Sequence, residues 1–350
     1  MNEGEAIVRR KDEHLDIALA QLAARDGVNP FDAYAFDHCA LPETALDSVD
    51  LSARFLDWSL DLPFLISSMT GGPSRGAAIN AHLAQAAQHL GVALAVGSQR
   101  VALEGAASAG ITKNLRELAP TIPLLGNLGA AQLVLGYGVD EARRAIEMIG
   151  ADALIIHLNP LQEAVQPGGD RDWRGVLSAI EMICARTDAP VLVKEVGAGL
   201  SADVARRLRD AGVAALDVAG RGGTSWSAIE ADRTDDRAAR LAAAPFENWG
   251  IPTPRALQEV RAAMPDLPLI GSGGVRHGVD AAKALRLGAD LVGQAGAVLQ
   301  AAMRSTEAVI EHFEVMAQQL RICCFATGSG DLGALRKARL VHHALPVHDV

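Results

Sequence analysis

Short apolar runs recur along the 350-residue chain, at 63–69, 93–98, 123–129, 153–159, 190–197, 214–222, 268–274 and 291–296. Most are rich in Val, Ile and Leu without clean alternation of apolar and polar positions, which is the pattern of strands buried on both faces. Segments with helical spacing lie between them, among them 77–90, 140–149, 202–211 and 279–287. Strand–helix alternation predicts a parallel sheet. The junctions Gly91-Val92, Gly150-Ala151-Asp152, Gly212-Val213 and Gly288-Ala289-Asp290 each fall between a helix and the next strand, where glycine accepts the left-handed turn that stops a helix. Eight such units predict an α/β fold, a closed (β/α)8 TIM barrel, with an open doubly wound sheet as the alternative. Two stretches lie outside the period. Residues 6–25 read as a helix ahead of the barrel, followed by a variable loop region up to residue 62, and residues 224–248 form a long polar insertion after the sixth strand. Connections of that length are as a rule functional or disordered. With no linker and no low-complexity tract, residues 1–350 read as a single domain, residues 1–62 being an N-terminal helical extension.

Composition narrows the class. Hydrophobic residues make up 49% and aromatics 4%, so small aliphatic side chains fill a sizeable core and global disorder is excluded. The formal net charge of -10 argues against nucleic acid or an anionic membrane as partner, although a basic pocket can sit in an acidic protein. The four cysteines, Cys39, Cys184, Cys323 and Cys324, form no CxxC pair and read as reduced thiols of a cytoplasmic protein. Residues 1–11 lack the apolar stretch of a signal peptide. Residues 119–139 carry no formal charge and are long enough to span a bilayer, but Pro120, Pro123, Asn127 and Gln132 within them suit a strand, a turn and a helix better.

In a barrel of this kind the active site lies at the C-terminal strand ends. Here these ends are polar: Ser68, Met69 and Thr70 after strand one, Ser98, Gln99 and Arg100 after strand two, Asn127 in strand three, His157 and Asn159 in strand four, then Gln162 and Glu163. Lys194 ends an apolar run in strand five. A buried lysine is costly without a partner. It is read either as a lysine paired with a neighbouring carboxylate or as a cation beside an electron-rich ring, and its polar neighbours favour the ring. His157 and Asn159 alternate in phase, so both face the barrel interior. Glycine-rich turns after strands seven and eight each precede a helix, and Arg276 follows the first. Bare amides at such positions bind phosphate, although a tight turn needs glycine anyway. Arg10, Lys11 and His14 cluster before the barrel. The plain reading of that cluster is a solvated helix start. Its sign is unfavourable for a helix N-terminus unless an anion arrives.

These motifs together resemble the type 2, FMN-dependent isopentenyl diphosphate isomerases. The most specific pieces are Arg10-Lys11-Asp12-Glu13-His14, Asn159-Pro160-Leu161-Gln162-Glu163 and Gly222-Gly223-Thr224-Ser225-Trp226. Met69-Thr70-Gly71-Gly72, Ser98-Gln99-Arg100, Lys194-Glu195-Val196-Gly197 and Ser272-Gly273-Gly274-Val275-Arg276 accompany them, and their glycine-rich parts are shared by many flavin barrels. The resemblance implies FMN held by Ser68, Met69, Thr70, Ser98, Asn127, Lys194, Thr224, Gly274, Val275, Arg276, Ala295 and Gly296. It implies substrate held by Arg10, Lys11, His14, Ser98, Gln99, Arg100 and Gln162, with Gln162, His157, Asn159 and Trp226 around the reacting carbons and Glu163 on Mg²⁺. The reaction would interconvert isopentenyl and dimethylallyl diphosphate by proton transfer at an allylic position, on reduced FMN and without net redox change. NADPH as reductant, a cytoplasmic location, a homo-oligomer (tetramer or octamer), and an N-terminal extension that reaches the substrate complete the expectation.

Two other readings are open at the level of the sequence. An FMN-dependent 2-hydroxy acid oxidase could draft His157 and Arg221 as base and carboxylate clamp, but leaves Arg10, Lys11 and Glu163 without a role. A phosphate-binding barrel without chemistry would show no flavin uptake. An oxidase consumes its substrate's electrons, whereas an isomerase leaves the flavin reduced.

Overall fold

A computed structural model describes residues 13–14, 16–17, 19–20, 29–68, 75–105 and 110–343. Three short strands, β1 (Tyr34–Phe36), β2 (Ala53–Phe55) and β3 (Trp58–Leu60), precede the barrel. The barrel strands are β4 (Phe64–Ile66), β5 (Ala93–Ala95), β6 (Leu124–Gly129), β7 (Ala153–Leu158), β8 (Val191–Glu195), β9 (Ala215–Asp217), β10 (Leu269–Ser272) and β11 (Leu291–Gln294). They close in sequence order, with β11 pairing back on β4 in parallel. Each lies inside one of the eight apolar runs, and the open doubly wound sheet is excluded. Phe64, Ile66, Leu154, Ile156, Val193 and Leu216 are fully buried, as strands covered by helices outside and packed side chains inside require. The register sets Lys194 of β8 between His157 of β7 and Asp217 of β9.

The helices fill the gaps, Gly76–Leu90, Val139–Ile149, Ala202–Asp210 and Gly278–Arg286 matching the helical spacing of the sequence. Residues 119–139 resolve into β6 and the short helix Ala130–Val134. Among the described residues no helix is long and apolar enough to cross a membrane. The polar insertion at 224–248 is ordered as helices Trp226–Arg233 and Arg237–Ala243. Each starts on a side chain that accepts a backbone amide, Ser225 from Ala228 and Asp236 from Ala238, which satisfies donors that a helix start otherwise leaves unpaired.

Two copies of one device clamp the opposite, N-terminal end of the barrel. Arg116 donates to the Gly150, Ala119 and Ile122 carbonyls and, at 2.5 Å, to Asp152, whose Oδ2 also accepts the Leu124 amide at 2.8 Å. Arg261 donates to the Gly288, Pro265 and Leu267 carbonyls and, at 2.6 Å, to Asp290, whose Oδ2 accepts the Leu269 amide at 2.9 Å. In both, the aspartate of a Gly-Ala-Asp junction ties the start of one strand to the start of its neighbour.

The extension is fastened to the other end. Asn29 Nδ2 donates to the Gly274 carbonyl at 2.7 Å, Lys283 Nζ donates to the Phe31 carbonyl at 3.0 Å, and Asp32 pairs with Arg276. β1 then pairs antiparallel with β12 (Leu340–His342), so the first strand and the last meet beside the barrel.

Candidate active site

The C-terminal strand ends, the insertion and the extension enclose a cavity of about 1080 Å³. Single-ligand pockets run from roughly 300 to 1,000 Å³, so there is room here for two ligands side by side. Ser68, Ser98, Arg100, Asn127, His157, Asn159, Gln162, Glu163, Lys194, Thr224, Trp226, Gly274, Val275, Arg276, Ala295 and Gly296 line it, and His14 lines it from the extension. Gln99 does not: its amide is buried in the wall, where it donates to the Ala145 carbonyl and accepts the Asn127 amide, 2.8 Å each. Arg10, Lys11, Met69 and Thr70 lie outside the described residues.

Hydrogen bonding fixes several of these side chains. Asn127 Nδ2 donates to the Val96 carbonyl at 3.0 Å and to Ser68 Oγ at 2.8 Å. A carbonyl can only accept, so the nitrogen must face Val96 and Oδ1 must face His157. His157 Nδ1 lies 2.7 Å from that oxygen and therefore carries the proton. Across the cavity, Asn159 Nδ2 donates to Glu163 Oε1 at 2.9 Å and to Gln162 Oε1 at 3.2 Å, while Gln162 Nε2 donates to Glu230 Oε1 at 3.1 Å. Glu163 Oε2 accepts the Asp170 amide at 2.8 Å. Glu230 is fully buried and also meets His14 Nε2 at 2.9 Å and Arg233 Nε at 2.9 Å. Burial pushes its carboxyl up, but the contacts with His14, Gln162 and Arg233 outweigh this and hold it down at about 2. The His14 ring also stands edge-on to Trp226, with centroids 5.4 Å apart.

The floor holds a second buried charge cluster. Lys194, 7% exposed, donates from Nζ to the Glu195 carbonyl at 2.6 Å. Asp217, 2% exposed, accepts Ser272 Oγ at 2.7 Å and the Ala219 amide at 3.1 Å, both on Oδ1. Its Oδ2 is buried with no hydrogen-bond partner. Burial pushes Lys194 down and Asp217 up, each opposed by attraction to the other. Glu195 Oε2 instead sits in a nest of backbone amides, accepting from Val196, Gly197, Ala198 and Gly199.

At the β10 turn, Gly273 and Gly274 have φ of +96° and +80°, which glycine adopts without strain. A Cβ on Gly274 would come within 2.7 Å of the Gly222 backbone, so these glycines bring two loops into contact at the rim. The Arg276 side chain is engaged by Asp280, 2.8 Å from its Nε, and by Asp32. What the turn offers a ligand is therefore main-chain amide rather than free cationic charge. Arg100 is bound to Glu104 at 3.0 Å and faces Asp170 at 3.9 Å.

A protein of Stutzerimonas stutzeri (strain A1501) named isopentenyl-diphosphate delta-isomerase is 64% identical over 339 residues, 96% of this chain and 98% of that protein. One of the same name from Xanthobacter autotrophicus (strain ATCC BAA-1158 / Py2) is 63% identical, covering 95% and 97%. The chain belongs to the isopentenyl-diphosphate delta-isomerases. Residues 164–342 also match the family described as FMN-dependent dehydrogenase, which assigns the chain to the FMN-dependent, type 2 branch of the isomerases. A solved structure titled as a lactate oxidase of Pediococcus acidilactici superposes with a TM-score of 0.65 at 19% identity, over 94% of this chain and 87% of that one. At that identity it shows the shared (β/α)8 fold alone.

The residues present fit FMN. The cavity wall carries a desolvated lysine, and Asn159 Oδ1 is buried there without a partner, suited to a ligand donor. The loops after β10 and β11 are where barrels of this type take a phosphate, and Gly274 and Gly296 there carry no side chain to block it.

Three residues of this architecture escaped the sequence reading. Glu230 lies in a polar helix where a carboxylate reads as solvated, and Asp217 reads as a strand terminus. His312 reaches Gln294 Oε1 at 2.7 Å from the long helix Thr306–Ala326, and Gln294 in turn donates to the Val275 carbonyl at 2.9 Å. Only proximity in space reveals these links.

Proposed function

We propose that the protein interconverts isopentenyl diphosphate and dimethylallyl diphosphate, using reduced FMN and Mg²⁺. The observation that carries this reading is that two of the segments most specific to the family, 159–163 and 222–226, and His14 from the third, open on one cavity. FMN would be held by Ser68, Met69, Thr70, Ser98, Asn127, Lys194 and Thr224, with its phosphate on the amides of Gly274, Val275, Arg276, Ala295 and Gly296. When bound in its reduced form, FMN would supply and take back the proton that relocates the double bond.

The side chains divide the remaining work. Arg10, Lys11, His14, Ser98 and Arg100 would hold the diphosphate. Arginine suits it through paired hydrogen bonds. Gln99 would act indirectly, by fixing the backbone of Asn127. Glu163 keeps oxygen lone pairs beyond its two hydrogen bonds. Mg²⁺ characteristically takes one or two carboxylates and completes its shell with phosphate oxygens and water, so a diphosphate beside Glu163 would hold the ion. Gln162 has no usable pKa and would orient rather than titrate, held between Asn159 and Glu230 beside the isoprenoid carbons. His157, in the tautomer fixed by Asn127, would complete the wall with Asn159. The face of Trp226 would shield a carbocation-like centre. In this reading the 1–62 extension and the barrel act as one functional domain, NADPH is the cellular reductant, and the protein is a cytoplasmic homo-oligomer, a tetramer or octamer.

The test is anaerobic incubation of the protein with reduced FMN, Mg²⁺ and isopentenyl diphosphate. Dimethylallyl diphosphate should accumulate while the flavin stays reduced. Absence of product from protein loaded with reduced FMN, or stoichiometric reduction of oxidised FMN by a 2-hydroxy acid, would overturn the reading.

A further inference from the structure

We propose that Asp217 is the buried counter-charge of Lys194, and that it holds bound reduced FMN toward its neutral, fully protonated form. The proposal rests on the FMN reading above and adds to it a residue that lies behind the cavity wall and touches no ligand.

The geometry isolates the pair. Lys194 and Asp217 are register partners on β8 and β9, so their side chains leave the sheet on the same side. Lys194 faces the cavity, and Asp217 lies next to it with Oδ1 bonded to Ser272 and Ala219 and Oδ2 buried without a partner. Glu195, the other nearby carboxylate, has four main-chain amides on one oxygen. Its charge is answered where it stands, and Asp217's is answered by Lys194.

Charges this deep in a protein interact far more strongly than in water. A lysine without a counter-ion would stabilise an anionic reduced ring in the cavity. A lysine already balanced by Asp217 presents a pair of zero net charge, so the ring's negative charge gains less and its proton is retained. An isomerase that lends out a proton benefits from that balance. Asp217 is a positioning residue in this sense: it acts through Lys194.

Asp217→Asn keeps the shape and an acceptor for Ser272 but removes the charge. In the FMN-loaded variant the reduced form should gain affinity relative to the oxidised form on the order of tenfold, a rise of about 30 mV for a two-electron couple. The bound reduced flavin should also lose its proton at lower pH, visible in its near-ultraviolet spectrum. In a Lys194→Met background the same substitution should move neither quantity, because the effect passes through the lysine. A folded, FMN-loaded Asp217→Asn protein with unchanged potential and spectrum overturns the proposal. If that variant does not fold, Asp217→Ser, which also removes the charge, should shift the potential in the same direction, and no shift there overturns it equally. A wild-type protein that takes up no FMN would sink the cofactor reading first, and the proposal with it.

Discussion

Glu230 shows how much of this site is decided by single buried groups. Its carboxyl is held at about 2 against the 4.5 of an ordinary glutamate, so its folded-state value is depressed. A depressed carboxyl contributes stability that is present above its unfolded value and lost as pH falls toward the folded one. The window therefore runs from about pH 4.5 down to 2, and the contribution above it is on the order of 3 kcal/mol. Glu230→Gln should cost about that much at neutral pH, measured by denaturant unfolding, and the gap from wild type should close on acidification through that window. A constant gap down to pH 2 would mean that the carboxylate's charge is not what stabilises the protein. The same residue marks a limit of sequence reading. Lys194, His157 and Asn159 were legible because a polar residue inside an apolar strand run is conspicuous. Glu230 was not, because a carboxylate on a polar helix looks like any solvated one until His14 and Gln162 are seen against it.

At the scale of elements, the eight strands were legible because each apolar run is bounded by glycine or proline and too short for a buried helix. The insertion at 224–248 was not, since its helices rest on capping by Ser225 and Asp236 rather than on an apolar stripe. The Gly-Ala-Asp junctions were read as helix stops, and so they are, but their aspartates do more. Arg261 supplies donors to three carbonyls and to Asp290, which in turn holds the start of β10 against β11. Removing the guanidinium leaves partly buried acceptors and a carboxylate without their donor, and losing a hydrogen bond to a charged group costs about 1.5–3 kcal/mol. Arg261→Ala should therefore lower unfolding stability by about 3 kcal/mol. The clamp lies at the end of the barrel away from the cavity, so FMN affinity of the folded protein should stay unchanged. Equal stability of variant and wild type, or a selective loss of FMN, would refute this division between a stabilising end and a functional end.

Over the whole molecule, a net charge of -10 stands against an anionic substrate, so the cations that receive it must be concentrated at the cavity. Arg100 is partly committed to Glu104 and Asp170, and Arg276 to Asp32 and Asp280. Arg221 and Arg240 also line the cavity, and the extension adds further positive charge through Arg10 and Lys11. Its later part is fastened to the barrel at Asn29, Phe31 and Asp32, and His14 lines the cavity. Arg10 and Lys11 precede His14 by four and three residues, and a chain that short spans at most about 14 Å. In the proposed function their charge would meet the diphosphate. Deleting residues 1–28 spares Asn29 and the contacts that follow it, so the barrel should fold and FMN should bind with an unchanged spectrum. It removes Arg10, Lys11 and His14 together. Each charge-assisted hydrogen bond lost costs on the order of 1.5–3 kcal/mol, so KM for the diphosphate substrate should rise at least tenfold. Loss of the contact between His14 and Glu230 should lower kcat as well, because Glu230 holds Gln162. Steady-state kinetics under reducing conditions, read beside flavin stoichiometry, separates the outcomes. A truncated protein with wild-type KM and kcat would show that the extension only covers the barrel, whereas loss of FMN would show that it belongs to the fold itself.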